Sequence, residues 1–196
     1  MTRKSNVSWV LPFVLGTALA WSSSPAGVER LAFNACQLLT SAEIAAVVGV
    51  PVLDGQRQDF GVDEKLAGYS STCIWLMRDD GDEANESKEL IAGRKFVILN
   101  AMRWTDADNH SPEYLEGFRR AARVGELPKQ PVVRSIGEES LWWGDGLAVR
   151  QGTLSFGVSV FPSPVTPQYP GINEEKLAEL ILAKLKDPAS SGRMKK

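Results

Sequence analysis

Apolar and polar positions along this chain alternate with two different periods, and the changes of period mark its elements. In residues 35–50, ACQLLTSAEIAAVVGV, the positions Ile44, Val47 and Val48 recur at the three- and four-residue spacing of one helix face. Thr40 followed by Glu43 forms a capping box, Leu39 and Ile44 are placed for a hydrophobic staple, and Gly49 supplies a stop. The spacing predicts a short helix over residues 41–48, too short to be stable without packing.

After it, residues 51–53 read as a short edge strand, Asp54-Gly55 as a turn, and residues 56–68 as a strand followed by a loop. In residues 71–77 Cys73, Trp75 and Met77 share one face and Ile74 and Leu76 the other, as expected of a central strand covered on both sides. A second central strand is predicted over residues 95–102, KFVILNAM. Ser111-Pro112-Glu113 reads as a helix start with Ser111 before it and proline at the first helical position; Tyr114, Leu115, Phe118, Ala121 and Ala122 continue the helix, and Gly125 closes it. A strand at residues 132–136 precedes a hairpin, Ser140-Leu141-Trp142-Trp143, Gly144-Asp145-Gly146, Leu147-Ala148-Val149. In residues 153–161, Leu154, Phe156, Val158 and Val160 alternate with Ser155, Gly157 and Ser159, which predicts one buried and one wet face. A proline loop over residues 163–171 leads to a last helix capped by Asn173, with Leu177, Leu180, Ile181 and Leu185 on one stripe. The order, helix and strands twice and then a helix, predicts a single α+β domain over residues 27–187, a curved antiparallel sheet packed against helices. It also raises the idea of two pseudo-repeats of helix plus strands.

The N-terminus changes the compartment. Arg3 and Lys4 precede an uncharged apolar run over residues 7–20 and small residues, the pattern of a signal peptide over residues 1–26 cleaved after Ala20 or Ala26. The other reading is a retained anchor, although the run is short for a span and contains Pro12 and Gly16. The expected location is periplasmic or secreted, with no stable membrane insertion after cleavage. In an exported chain the two cysteines, Cys36 and Cys73, are expected to pair. Cys36 lies too far beyond the apolar run to carry a lipid.

Charge excludes one partner class. Loss of Arg3 and Lys4 leaves 20 basic and 24 acidic side chains, net −4, with no basic stripe for nucleic acid. The acidic run at residues 78–88 lacks the spacing of a calcium loop and reads as a solvated connection. The basic residues Arg119, Arg120 and Arg123 share a helix face that would suit an acidic partner or simply stay solvated. Beyond residue 187 the tail is polar and expected to be disordered.

Catalytic patterns are scarce. No nucleophile elbow, phosphate-binding loop, dinucleotide fingerprint or zinc helix is present. The only histidine, His110, follows Asp106 and Asp108 at alternating positions, a weak metal set against an ordinary loop and helix start. Trp142 and Trp143, adjacent on a strand, must point to opposite faces, so one is a candidate for a binding surface or for burial under the proline loop.

The run Cys36-x-Leu38-Leu39-Thr40-x-x-Glu43-Ile44, with the later Cys73, Trp75 and Ile136-Gly137-Glu138-Glu139-Ser140, resembles a family of bacterial envelope proteins. These are exported proteins and lipoproteins, best known from actinobacteria and described mainly as domains of unknown function. The resemblance implies the disulfide and an α+β fold, departs in the missing lipid-bearing cysteine, and carries over no catalytic residue. The resulting expectation is a non-enzymatic exported domain, without cofactor, that binds a partner protein or small ligand in the envelope. The alternative is a metal-dependent hydrolase using Asp106, Asp108 and His110.

Overall fold

The computed structural model describes residues 32–63, 68–78, 95–106, 109–127, 129–162 and 170–186. The expected leader, the acidic run past residue 78, Asp108, most of the proline loop and the tail lie outside the described residues. A 3-10 turn, Ala35–Gln37, leads into helix α1 (Ser41–Val48), followed by strands β1 (Gln56–Asp63), β2 (Gly68–Leu76) and β3 (Phe96–Trp104). Helix α2 (Ser111–Arg123) precedes β4 (Val132–Arg134), β5 (Glu139–Trp142), β6 (Leu147–Gln151) and β7 (Leu154–Phe161), and helix α3 (Ile172–Lys186) ends the described chain. All seven strands form one antiparallel sheet in the order β1-β2-β3-β7-β6-β5-β4. The α+β architecture expected from the pattern is the one found.

Local signals at α1 behave as the sequence predicts. Thr40 Oγ1 accepts from the Glu43 amide, Glu43 reaches back to the Thr40 amide at 2.7 Å, and Gly49 ends the helix at φ 79°. Glu43 does a further job that sequence spacing does not show. Its carboxylate lies 2.6 Å from Lys184 Nζ, tying α1 to α3. The Cys36–Cys73 disulfide, with Cα atoms 5.1 Å apart, pins the turn before α1 to β2.

The register sorts residues onto two faces. Cys73, Leu99, Val158, Leu147 and Trp142 lie in one row across five strands, and this face packs against Leu38, Leu39 and Ile44 and against Leu177, Ala178 and Ile181 of α3. One residue along, Thr72, Asn100, Gly157, Ala148 and Leu141 form a row on the opposite face, where α2 seats Leu115 against Leu141 and Ala148. The pseudo-repeat is not supported by this arrangement. Antiparallel pairing of β3 with β7 would relate two repeats by a twofold axis normal to the sheet, leaving both leading helices on one face, whereas α1 and α2 lie on opposite faces.

Three expectations need correction. Strand β7 has no wet face: its serines and glycine are buried because α2 lies over the β6 and β7 side of that face. Helix α2 is capped at His110 rather than Ser111, which is already its first residue; Asn109 Oδ1 accepts from the Ser111 amide at 3.0 Å. Helix α3 begins at Ile172, ahead of Asn173, and its buried Glu174 is used elsewhere.

Candidate functional site

The α2 helix is set on the sheet by its N-terminus and closed by its own C-terminal stop. Ser111 Oγ donates to the Gly152 carbonyl at 2.9 Å, and the Ser111 carbonyl accepts from Ser155 Oγ at 3.3 Å. At the other end the Glu126 amide donates to the Ala121 carbonyl and the Gly125 amide to the Ala122 carbonyl, the paired bonds of a Schellman stop. Between these ends the helix turns Tyr114 and Phe118 toward the sheet. The two rings meet edge to face at 5.5 Å, and Phe118 stacks on Trp143 at 4.7 Å.

Trp143 sits just past β5, where its amide donates to the Gly146 carbonyl at 3.1 Å and closes the hairpin. Its ring lies so close to the chain that a Cβ at Gly146 would meet it, together with Ser159 Oγ. At Gly157 an added Cβ would stand 2.8 Å from the Tyr114 hydroxyl and 3.4 Å from the Trp143 ring. Glycine in the middle of β7 is therefore what lets the Tyr114 hydroxyl reach the strand. Burial pushes the Tyr114 phenol well above its usual range, so it stays a protonated donor. Neither that hydroxyl nor Ser159 Oγ has a hydrogen-bond partner among the described residues, and Ser159 is buried. Asn100, beside Gly157 in the same row, donates to Thr72 Oγ1 at 2.9 Å, and its carbonyl oxygen meets no donor among the described residues. These groups form an uncharged set of donors and acceptors along an aromatic wall.

The sequence-level candidates fall differently. Trp142 is buried on the α3 face, where it packs against the chain at Gly171, and Trp143 is half-buried beneath α2 rather than presented on an open surface. Arg119 and Arg123 do not form a free basic patch: Arg123 pairs with Glu116 at 2.5 Å, Arg119 with Glu116 and Glu139, and Arg150 with Glu138 and Glu139. The Arg119 guanidinium, and then Arg150, holds the Glu139 carboxyl below its ordinary value. Arg120 remains exposed. His110 packs its ring edge-on to Trp104 at 5.8 Å and lies 3.7 Å from Glu113, and Asp106 is exposed. Among the described residues no three metal-ligating side chains come together, and Asp108 lies outside them.

A second polar cluster has a structural task. Asp59 accepts from Arg57, from the Tyr69 hydroxyl at 3.0 Å and from Ser71 Oγ at 2.6 Å. Burial alone would raise the Asp59 carboxyl, but these donors together hold it below its ordinary value. Ser71 Oγ in turn accepts from the Ala35 amide at 2.9 Å, and Arg57 donates to the Phe33 carbonyl at 3.1 Å. The cluster thus fastens the segment before the disulfide onto β1 and β2.

Sequence reasoning missed Tyr114, Ser159 and Asn100 as site residues. The available signal was Gly157, since a glycine inside an otherwise regular strand marks a close approach. No family model, curated protein or solved structure matches this chain. Among the described residues no helix is long and apolar enough to cross a membrane.

Proposed function

We propose that this chain is an exported, non-enzymatic binding domain of the bacterial envelope, working in the periplasm or after secretion and taking a small ligand on its α2 face. The observation that carries the reading is a pair of hydroxyls, Tyr114 over β7 and Ser159 within it, that stand beside Trp143 without a hydrogen-bond partner among the described residues. Hydroxyls that no described protein group engages are available to the polar atoms of a ligand. The chemistry of the lining fits binding rather than turnover, because hydroxyls, an amide and an indole supply donors and contact area but no activated nucleophile or general base. The disulfide supports export, since such bonds persist in oxidising compartments. The leader pattern and the resemblance to envelope proteins point the same way.

The competing reading is a metal-dependent hydrolase built on Asp106, Asp108 and His110. Calorimetric titration with calcium, zinc and manganese, alongside an ester-hydrolysis assay, separates the two. The binding reading expects no saturable heat and no metal-dependent turnover. Stoichiometric binding and turnover that both vanish in His110→Ala would replace it.

A further inference from the structure

We infer that the α2 face selects an uncharged ligand with an oxygen acceptor on a flat apolar body, the acceptor engaging Tyr114 and Ser159 and the body lying along Trp143 and Ile98. This rests on the binding reading above and names the ligand class. The floor of the site is set by register. Asn100 and Gly157 are directly paired, and Ile98 and Ser159 form the next pair on the same face, about 7 Å along the strands. Over this floor stand the Tyr114 hydroxyl, at Gly157, and the Trp143 ring, which approaches both Gly157 and Ser159 Oγ by way of Gly146.

Each group selects something. A phenol held protonated by burial donates and does not compete as a base, so the matching ligand atom is an acceptor. Ser159 supplies a second hydroxyl two positions along β7, and the Asn100 carbonyl accepts from any donor that the ligand carries. None of these residues is charged, so an ionic ligand would lose its water without gaining a counter-ion. The nearby arginines Arg119 and Arg150 are already engaged by Glu116, Glu138 and Glu139. The indole and Ile98 favour an aromatic or flat aliphatic body over a compact polar one.

The test uses the full chain in its oxidised form and two naphthalene dyes of similar size, the uncharged ketone Prodan and the anionic anilinonaphthalene sulfonate. Emission titrations are expected to show saturable Prodan binding, weakened about tenfold in Tyr114→Phe, the loss of one hydrogen bond. Ser159→Ala is expected to weaken it in the same direction, and the sulfonate is expected not to displace Prodan. Near-UV circular dichroism verifies that both variants keep the wild-type fold, and Ser159→Ala alone decides the matter if Tyr114→Phe does not. Saturable Prodan binding that both variants retain unchanged would overturn the site assignment while leaving the binding reading intact. Absence of saturable Prodan binding, or displacement by the sulfonate, would overturn the ligand class. Only metal-dependent turnover lost in His110→Ala would overturn the broader reading.

Discussion

On the face carrying Cys73, Leu99, Val158, Leu147 and Trp142 the sheet offers large side chains to α1 and α3, and a disulfide fastens the cover in place. One residue along the same strands, Thr72, Asn100, Gly157 and Ala148 offer small or polar ones, and α2 meets them with two aromatic rings and a hydroxyl that has no partner among the described residues. The first face is filled to closure by dispersion contacts and burial. The second holds α2 to the sheet by hydrogen bonds at its N-terminus and leaves polar groups to spare beyond them. On the binding reading proposed above, stability and recognition fall on opposite sides of one sheet, separated by a single step in register.

The largest difference should appear when the covalent staple is cut. A loop closed across a sequence separation of 37 residues contributes about 4 kcal/mol on the chain-entropy model. Urea unfolding of a Cys36→Ser, Cys73→Ser double variant is expected to show a loss of that order, and an unchanged midpoint would show that the α1 side does not depend on the bond.

The α2 side should respond to added volume instead. Gly157→Ala drives a Cβ to 2.8 Å from the Tyr114 hydroxyl and is expected to cost about 1–3 kcal/mol. In a Tyr114→Phe background the same substitution should cost less, because the colliding oxygen is gone. A double-mutant cycle measures this, and simple additivity would place the Tyr114 hydroxyl away from Gly157.

A smaller effect divides two glutamates that both accept from backbone amides. Burial alone would raise Glu43, but Lys184 and the Thr40 amide and hydroxyl hold it below the ordinary value of 4.5. Its contribution is therefore complete above that value and is lost as pH falls through the folded pKa. Glu174 is buried at the start of α3, where Oε1 accepts from the Val160 amide at 3.1 Å beyond the end of β6, and burial raises its carboxyl above 4.5. In that window the folded protein keeps a proton that the unfolded chain has released, so stability falls as pH rises through the folded pKa. Glu174→Gln keeps an acceptor oxygen and removes the buried charge. Its stability relative to wild type should rise across the window and level off above it, as followed by urea midpoints between about pH 4 and pH 8. A flat difference would mean that the wild-type carboxyl is not raised.

What the sequence disclosed was local. Thr40, Glu43 and Gly49 lie within ten residues of one another, and their cap and stop could be read from spacing alone. The hairpin around Gly144-Asp145-Gly146 and the two-sided burial of β2 were legible for the same reason. The partners that complete the structure come from far along the chain: Lys184 for Glu43, Glu139 for Arg119, Val160 for Glu174. Alternation in β7 predicts core against water because periodicity reports which residues share a face and is silent about what lies over it. Small residues under a helix and small residues under solvent have the same pattern, and only α2, placed by contacts at Gly152 and Ser155, distinguishes them. For that reason only Gly157, a glycine inside a regular strand, and Trp143 hinted at the candidate site.

The central question is whether the Tyr114 hydroxyl is held in reserve for a ligand or contributes to the fold. Equilibrium unfolding of Tyr114→Phe without added ligand answers this directly. An unfolding free energy equal to or above that of the wild type is predicted, because the substitution removes a hydroxyl that has no hydrogen-bond partner among the described residues. A loss of about 1 kcal/mol, the net worth of a hydrogen bond, would contradict it.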